Sequence, residues 1–310
     1  MTDTLVDPTE RTIGSSLRCG PLGFGCWRFT HQSTGEAHRV LETALDTGMR
    51  LVDTADVYGL DWGGTGFGTV EERLGDVLRA APGLRDRMVL ATKGGILPPV
   101  PYDSSPAALR AACEASLRRL GVDHVDLYQV HRPDLFTHPH DVADTLAALV
   151  TEGKVREVGI SNHTPAQHEA VAAALAERGV RLAATQVEYS AAHLAPLRDG
   201  TFDLAMRSGA GVLVWSPLAG GRLANPDGAD PGAGVLPELL DTLDDLADHH
   251  HTDRATVALA FALAHPARPV VLVGSQDPAR LAGASAALQV PLTRTDAYRI
   301  VAASEGRPLP

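Results

Sequence analysis

The feature that most constrains this 310-residue chain is a repeated alternation of short apolar runs with segments of helical periodicity. Runs of strand character stand at PLGFGC (21–26), RLVDT (50–54), MVLATK (88–93), VDLYQV (125–130), EVGIS (157–161), ATQVE (184–188), GVLVWS (211–216) and PVVLVG (269–274). Several are near-continuous Val, Leu and Ile, the pattern of strands buried on both faces by helices. Between them, Leu109, Ala112, Cys113, Ser116, Leu117 and Leu120 share one helical face, and Leu236, Leu239, Leu240, Leu243 and Leu246 repeat the pattern. Gly48, Gly121, Gly153 and Gly179 each follow a helical pattern and suit the left-handed residue that ends a helix. Residues 11–19 read as a hairpin and 294–305 as a last helix.

Eight strand–helix units with no Pro/Gly-rich linker predict one domain over 1–310. Its expected class is α/β, a closed (β/α)8 TIM barrel with an N-terminal β-hairpin. The alternative is an open doubly wound sheet, whose glycine fingerprint is missing: in GFGCWR, Arg28 stands at the third glycine place. Longer insertions at 59–69, 132–140 and 217–235 follow strands, where the loops of a catalytic face would lie.

Charge and cysteine usage narrow the function. With 27 basic and 38 acidic residues the formal charge is −11, which argues against a nucleic-acid or anionic-membrane surface. No stretch approaches the ~20 apolar residues of a membrane span, and the start, MTDTLVDPTE, is acidic with no hydrophobic signal region. Cys19, Cys26 and Cys113 are odd in number and lack metal-ligand spacing, which suits a reducing compartment. A cytoplasmic location is therefore expected.

The chemistry-bearing residues sit at the ends of these runs. RLVDTADVY supplies Asp53 and Tyr58, MVLATKGG supplies Lys93, and DLYQVHRP supplies His131. Polar residues at the carboxyl ends of successive strands are what a barrel active site requires. A phenol has a pKa of about 10, and a neighbouring ammonium lowers it. Lys93 is the expected cation, Asp53 its partner, and His131 a group able to orient a carbonyl. Taken singly, Asp53 could cap the next helix, Tyr58 could be a wall aromatic, Lys93 a surface cation and His131 a satisfied strand-end histidine.

These motifs resemble the aldo-keto reductase superfamily over nearly the whole chain. The matches are GFGCW, LVDTADVYG, ATKGG, DLYQVHRPD, GKVREVGISN, TQVEYS, WSPLAGGRL and VGSQDPARL. SNHTPAQ and VEYSAAHLAPLRDG are similar to a bacterial subgroup of poorly defined physiological substrate. The resemblance implies reduction of aldehydes or ketones to alcohols by hydride transfer from NADPH, with NADH less favoured, Tyr58 as general acid and no metal.

Cofactor contacts are implied at Gly25, Cys26, Trp27, Asp53, Ser161, Asn162 and Gln186, the last three matching positions that bind the nicotinamide carboxamide. Trp215 matches the ring beneath the nicotinamide. Ser216, Pro217, Leu218, Gly220 and Arg222 match the pyrophosphate loop. Gly274, Ser275, Gln276 and Arg280 match the adenosine phosphate region, where a guanidinium favours NADPH. Gly274 stands where some members carry a phosphate-binding lysine, and Ala284 where an asparagine commonly meets adenine.

Trp27, Tyr58, Trp62 and His131 are the implied substrate contacts, and Phe29, Phe67, Phe136 and Arg132 are further candidates for the pocket wall. The expected partner is a small carbonyl compound, with oligomeric state left open. Two alternatives stand beside this reading. One is a nicotinamide-binding redox sensor of slow turnover. The other is a metal-dependent hydrolase drawing on His131, His138 and His140, with His249, His250 and His251 read instead as a solvated helix end.

Overall fold

The computed structural model describes residues 4–30, 33–60, 63–224 and 235–309. A hairpin of β1 (Arg11–Ile13) and β2 (Leu17–Cys19) precedes β3 (Leu22–Gly25), α1 (Thr34–Asp46), β4 (Leu51–Asp53), α2 (Thr69–Ala80) and β5 (Val89–Gly94). Next come α3 (Pro106–Leu120), β6 (Val125–Val130), α4 (Pro139–Thr151), β7 (Val155–Ser161), α5 (Pro165–Ala176) and β8 (Leu182–Glu188). The chain continues through α6 (Thr201–Ser208), β9 (Gly211–Trp215), α7 (Pro237–His249), α8 (Arg254–Leu263), β10 (Val270–Val273), α9 (Pro278–Ala284) and α10 (Arg294–Glu305). Strands β3 to β10 are parallel and close in sequence order, with β10 paired to β3. The barrel and the preceding hairpin agree with the sequence reading.

Local chemistry marks the helix ends. Proline opens α3, α4, α5, α7 and α9, where its missing N–H costs nothing and its fixed φ suits the first turn. Ser33 with Glu36, Thr164 with Gln167 and Thr293 with Asp296 form reciprocal capping boxes. The four predicted stops take positive φ: Gly48 at 86°, Gly121 at 68°, Gly153 at 73° and Gly179 at 69°. Leu236 differs from expectation. It precedes Pro237 as the cap of α7 and is exposed, so the buried face begins at Leu239.

Alternation along the strands divides the core in two. Outward residues such as Phe24, Val52, Leu90, Tyr128, Val158 and Val214 pack under the helices. Inward residues at the lower level, including Leu51, Ala91, Leu127, Leu213 and Leu272, form a second apolar cluster inside the barrel, closed from below by Ile13, Leu17 and Cys19 of the hairpin. One strand step further, the inward positions become Asp53, Lys93, Gln129 and Gln186, all buried. Period-two alternation thus lifts a polar layer onto an apolar floor. Gly23 is needed at an inward place: a Cβ there would lie 2.9 Å from Leu272 Cδ2 and 3.1 Å from the Leu51 carbonyl.

Candidate active site

Asp53, Lys93 and His131 reach the mouth of the barrel because the strand ladder runs on past the strands. The Cys26 amide donates to the Asp53 carbonyl at 2.9 Å, Thr54 to Ala91 at 2.9 Å, and His131 to Gly94 at 2.9 Å. Tyr58 arrives from a turn in which its amide donates to Ala55, and its own carbonyl receives Val70 at the start of α2. Asp53 caps no helix, since Gly68 precedes α2. Lys93 is no surface cation: its side chain is 0% exposed.

One ammonium organises the group. Lys93 Nζ donates to Asp53 Oδ2 at 2.6 Å, to the Thr54 carbonyl at 2.8 Å and to the Tyr58 hydroxyl at 3.2 Å. Asp53 Oδ1 accepts from Gln186 Nε2 at 3.0 Å and from Gln129 Nε2 at 3.3 Å. The Tyr58 and His131 rings meet edge to face with centroids 5.7 Å apart, and His131 Nδ1 has no partner among the described residues.

Electrostatics follow from burial beside that cation. Burial disfavours the charge on Lys93, but Asp53 and the Tyr58 oxygen outweigh it and hold the ammonium's pKa up. Lys93 pulls the Tyr58 pKa down as expected, but that pull is outweighed. Burial raises its pKa, and Asp53 adds to this, so the opposing pull of Lys93 leaves it above the ordinary phenol value. Burial, followed by the charges of Lys93 and Arg132, drives His131 well below the ordinary imidazole range, so it is neutral near pH 7.

A second set of groups borders this chain. Asn162, in the left-handed region at φ 60°, laces three strand ends together. Its Nδ2 donates to the His131 carbonyl at 3.1 Å and to Ser161 Oγ at 2.8 Å, while its Oδ1 accepts from Trp215 Nε1 at 3.1 Å. The Arg132 guanidinium sits 5.9 Å from the centre of the Trp215 ring. After Trp215 the backbone takes positive φ at Ser216, Ala219, Gly220 and Gly221. Arg28 donates to the Gly220 carbonyl at 3.2 Å and lies 5.6 Å from the Trp27 ring centre, tying the loop after β3 to the loop after β9. Gly25 ends β3 beside Gly274, which follows β10: a Cβ on Gly25 would stand 3.8 Å from Gly274 Cα.

The remaining assignments separate. Ser275 Oγ accepts from the Asp277 amide at 3.2 Å, and Gln276 Nε2 donates to the Gly274 carbonyl at 3.3 Å. Arg280 is 81% exposed, with Nε 3.7 Å from Asp277. Phe29 is a correction, because it is fully buried against Phe24 in an edge contact at 5.9 Å and lines no pocket. Phe136 is also corrected, being 98% exposed at a loop tip. Phe67 lies under the Arg119 guanidinium at 5.7 Å. Trp62, and 225–234 of the third insertion, lie outside the described residues.

His138 caps α4, where its Nδ1 accepts from the His140 amide at 3.2 Å. No group of three or more His, Cys, Asp or Glu among the described residues is arranged to hold a metal ion. None of the described helices is long and apolar enough to cross a membrane.

Gln129 and Arg28 escaped the sequence reading. Gln129 was discoverable, since it stands on β6 two residues before His131, which continues the ladder just past the strand, and so shares its inward direction. Arg28 follows Trp27 with no spacing signal.

Comparison with known proteins agrees with this geometry. The sequence model of the Aldo/keto reductase family matches residues 21–305. The chain is 43% identical over 313 residues, covering 100% of both sequences, to 6-dehydroglucose reductase of Novosphingobium aromaticivorans. It is 32% identical to 6-dehydroglucose reductase of Agrobacterium fabrum, covering 95% of this chain and 97% of that protein. It is 33% identical to oxidoreductase YdhF of Escherichia coli, covering 92% and 94%. With eight parallel strands closed around a buried Asp–Lys pair and a tyrosine, the chain belongs to the aldo/keto reductase family of oxidoreductases.

Proposed function

We propose that the protein reduces aldehydes or ketones to alcohols with NADPH, Tyr58 delivering the proton. The observation that carries this reading is the contact between the Tyr58 hydroxyl and Lys93 Nζ at 3.2 Å. A phenol whose pKa burial has raised holds its proton at neutral pH and is a donor, not a base. The ammonium then stabilises the phenolate left after transfer, an interaction stronger in the transition state than in the ground state. Asp53 keeps Lys93 charged in a buried site. Neutral His131 donates a hydrogen bond to the carbonyl oxygen and orients it toward Tyr58.

A nicotinamide cofactor, general in this family, supplies the hydride when bound. The residues fit such a group. Trp215 offers a half-open aromatic face at the mouth. Gly220, Gly221 and Gly274 have no atom within 4 Å of where a Cβ would stand, so a phosphate can approach their backbone. Asn162 joins Trp215 to Ser161, and Gln186 lies in the adjoining polar layer with its Nε2 on Asp53; these are the positions expected to meet the carboxamide. Arg280, with its exposed guanidinium, supports preference for a 2′-phosphate.

The substrate reading is a hydroxylated aldehyde of sugar type. It draws support from the full-length similarity to a 6-dehydroglucose reductase and from the Arg132 guanidinium beside Trp215. A cytoplasmic location and one domain over 1–310 belong to the same reading.

The test is NADPH oxidation with a panel of simple and polyhydroxylated aldehydes, wild type beside Tyr58→Phe. Loss of turnover in the variant with NADPH binding intact supports the assignment. Equal turnover by both proteins refutes the acid, and equal rates with NADPH and NADH at the same low concentration refute the cofactor preference.

A further inference from the structure

We propose that Gln129 is a positioning residue for the Asp53–Lys93–Tyr58 chain. This rests on the reading of Tyr58 as the acid. On β6, Gln129 stands in register with Lys93 of β5 and with Gly159 of β7, fully buried in the layer beneath the mouth. Gly159 makes the room: a Cβ there would come within 3.1 Å of Gln129 Cγ.

A carboxylate only accepts hydrogen bonds, so the amide nitrogens of Gln129 and Gln186 must both face Asp53 Oδ1. Gln129 Oε1 is left buried without a partner among the described residues. A leucine would fill the same space with no orphaned atom, so what the amide adds at this position is its donor to Asp53. With Oδ1 fastened by two amides, Oδ2 is aimed at Lys93 alone, and the remaining donors of the ammonium stay on the Thr54 carbonyl and the Tyr58 hydroxyl. The titratable groups facing Asp53 are Lys93 from β5, Tyr58 from the turn after β4 and the Cys26 thiol from the end of β3. His131 faces Lys93 from the end of β6.

The experiment compares Gln129→Leu, Gln129→Met and Gln129→Glu with wild type, measuring kcat, carbonyl KM and their pH profiles, with NADPH affinity by fluorescence titration. The two apolar variants are expected to lower kcat about tenfold while KM and NADPH affinity change less than about twofold. The introduced carboxyl of Gln129→Glu shares one proton with Asp53. Its kcat is therefore expected to approach wild type in acid and to fall progressively as pH rises and the shared proton leaves.

A wild-type kcat in all three overturns the proposal. So does a pH-independent loss in Gln129→Glu, or a parallel loss of NADPH affinity. Failure of all three to fold also overturns it, in favour of a purely structural amide. Tyr58→Phe is run alongside: if that variant stays active, the acid assignment fails and not the role of Gln129.

Discussion

Lys93 Nζ lies 2.6 Å from an Asp53 oxygen and 3.2 Å from the Tyr58 hydroxyl, so one buried cation is divided between a carboxylate and a phenol. The division is unequal. The short bond pairs the ammonium with a carboxylate and keeps it charged, and the longer one leaves the phenol the weaker contact.

Breaking that pair harms stability as well as turnover. Lys93→Met leaves the Asp53 carboxylate buried without its cation, a loss expected at about 3–5 kcal/mol. Adding Asp53→Asn to it is expected to recover part of that stability and none of the activity. Urea unfolding of the single and double variants checks this, and additive losses would contradict it.

Acid sensitivity is expected from histidines held neutral. Burial lowers His163 to about 4 and takes His131 well below its ordinary value. In the unfolded chain each binds a proton near pH 6.5, so the unfolded state holds more protons below that pH and stability falls as pH drops. For His163 the loss runs from about pH 6.5 to 4 and amounts to roughly 3 kcal/mol. His163→Gln should flatten the decline of unfolding free energy in that window, and an unchanged slope would contradict the assignment.

Asp56 predicts the opposite sign. Its carboxyl is buried with Oδ1 unpartnered among the described residues, and burial, followed by the nearby Glu71 carboxylate, raises its pKa well above the usual range. The folded state keeps this proton while the unfolded state releases it near pH 4, so stability falls as pH rises through that interval. Asp56→Asn is expected to be more stable than wild type at pH 8, with a smaller difference at pH 5. Denaturation midpoints at the two pH values decide it.

Gly75 lies in the middle of α2, where alanine would ordinarily stabilise by about 1 kcal/mol. Here a Cβ would stand 2.1 Å from the Arg119 carbonyl at the end of α3. Gly75→Ala is therefore expected to destabilise by about 2 kcal/mol or more, since overpacking against backbone finds no easy relief. Thermal melting of the variant tests whether close helix approach outweighs propensity.

What could be read beforehand followed from period and spacing. Inward alternation and strand ends place Asp53, Lys93 and His131 at one mouth without any coordinates, because eight apolar runs alternating with helices, and no dinucleotide glycine fingerprint, favour a closed ring over an open sheet. Tyr58 belongs to the same reading through its spacing from Asp53.

Solvation and side-chain direction were harder to read. The rise in Tyr58 pKa depends on how much water is excluded around it, a three-dimensional quantity. Phe29 and Phe136 carry the same side chain in similar post-strand loops, yet one turns into the core and the other into solvent. Phe29 has Phe24 to pack against, a tertiary contact that local sequence does not announce.

The hairpin beneath the barrel has a consequence for access. Ile13, Leu17 and Cys19 join the apolar cluster that fills the lower barrel, so among the described residues that end is plugged by side chains. A small molecule bound for Lys93 is therefore expected to come from the opposite, loop-bearing end, where Arg132 meets Trp215.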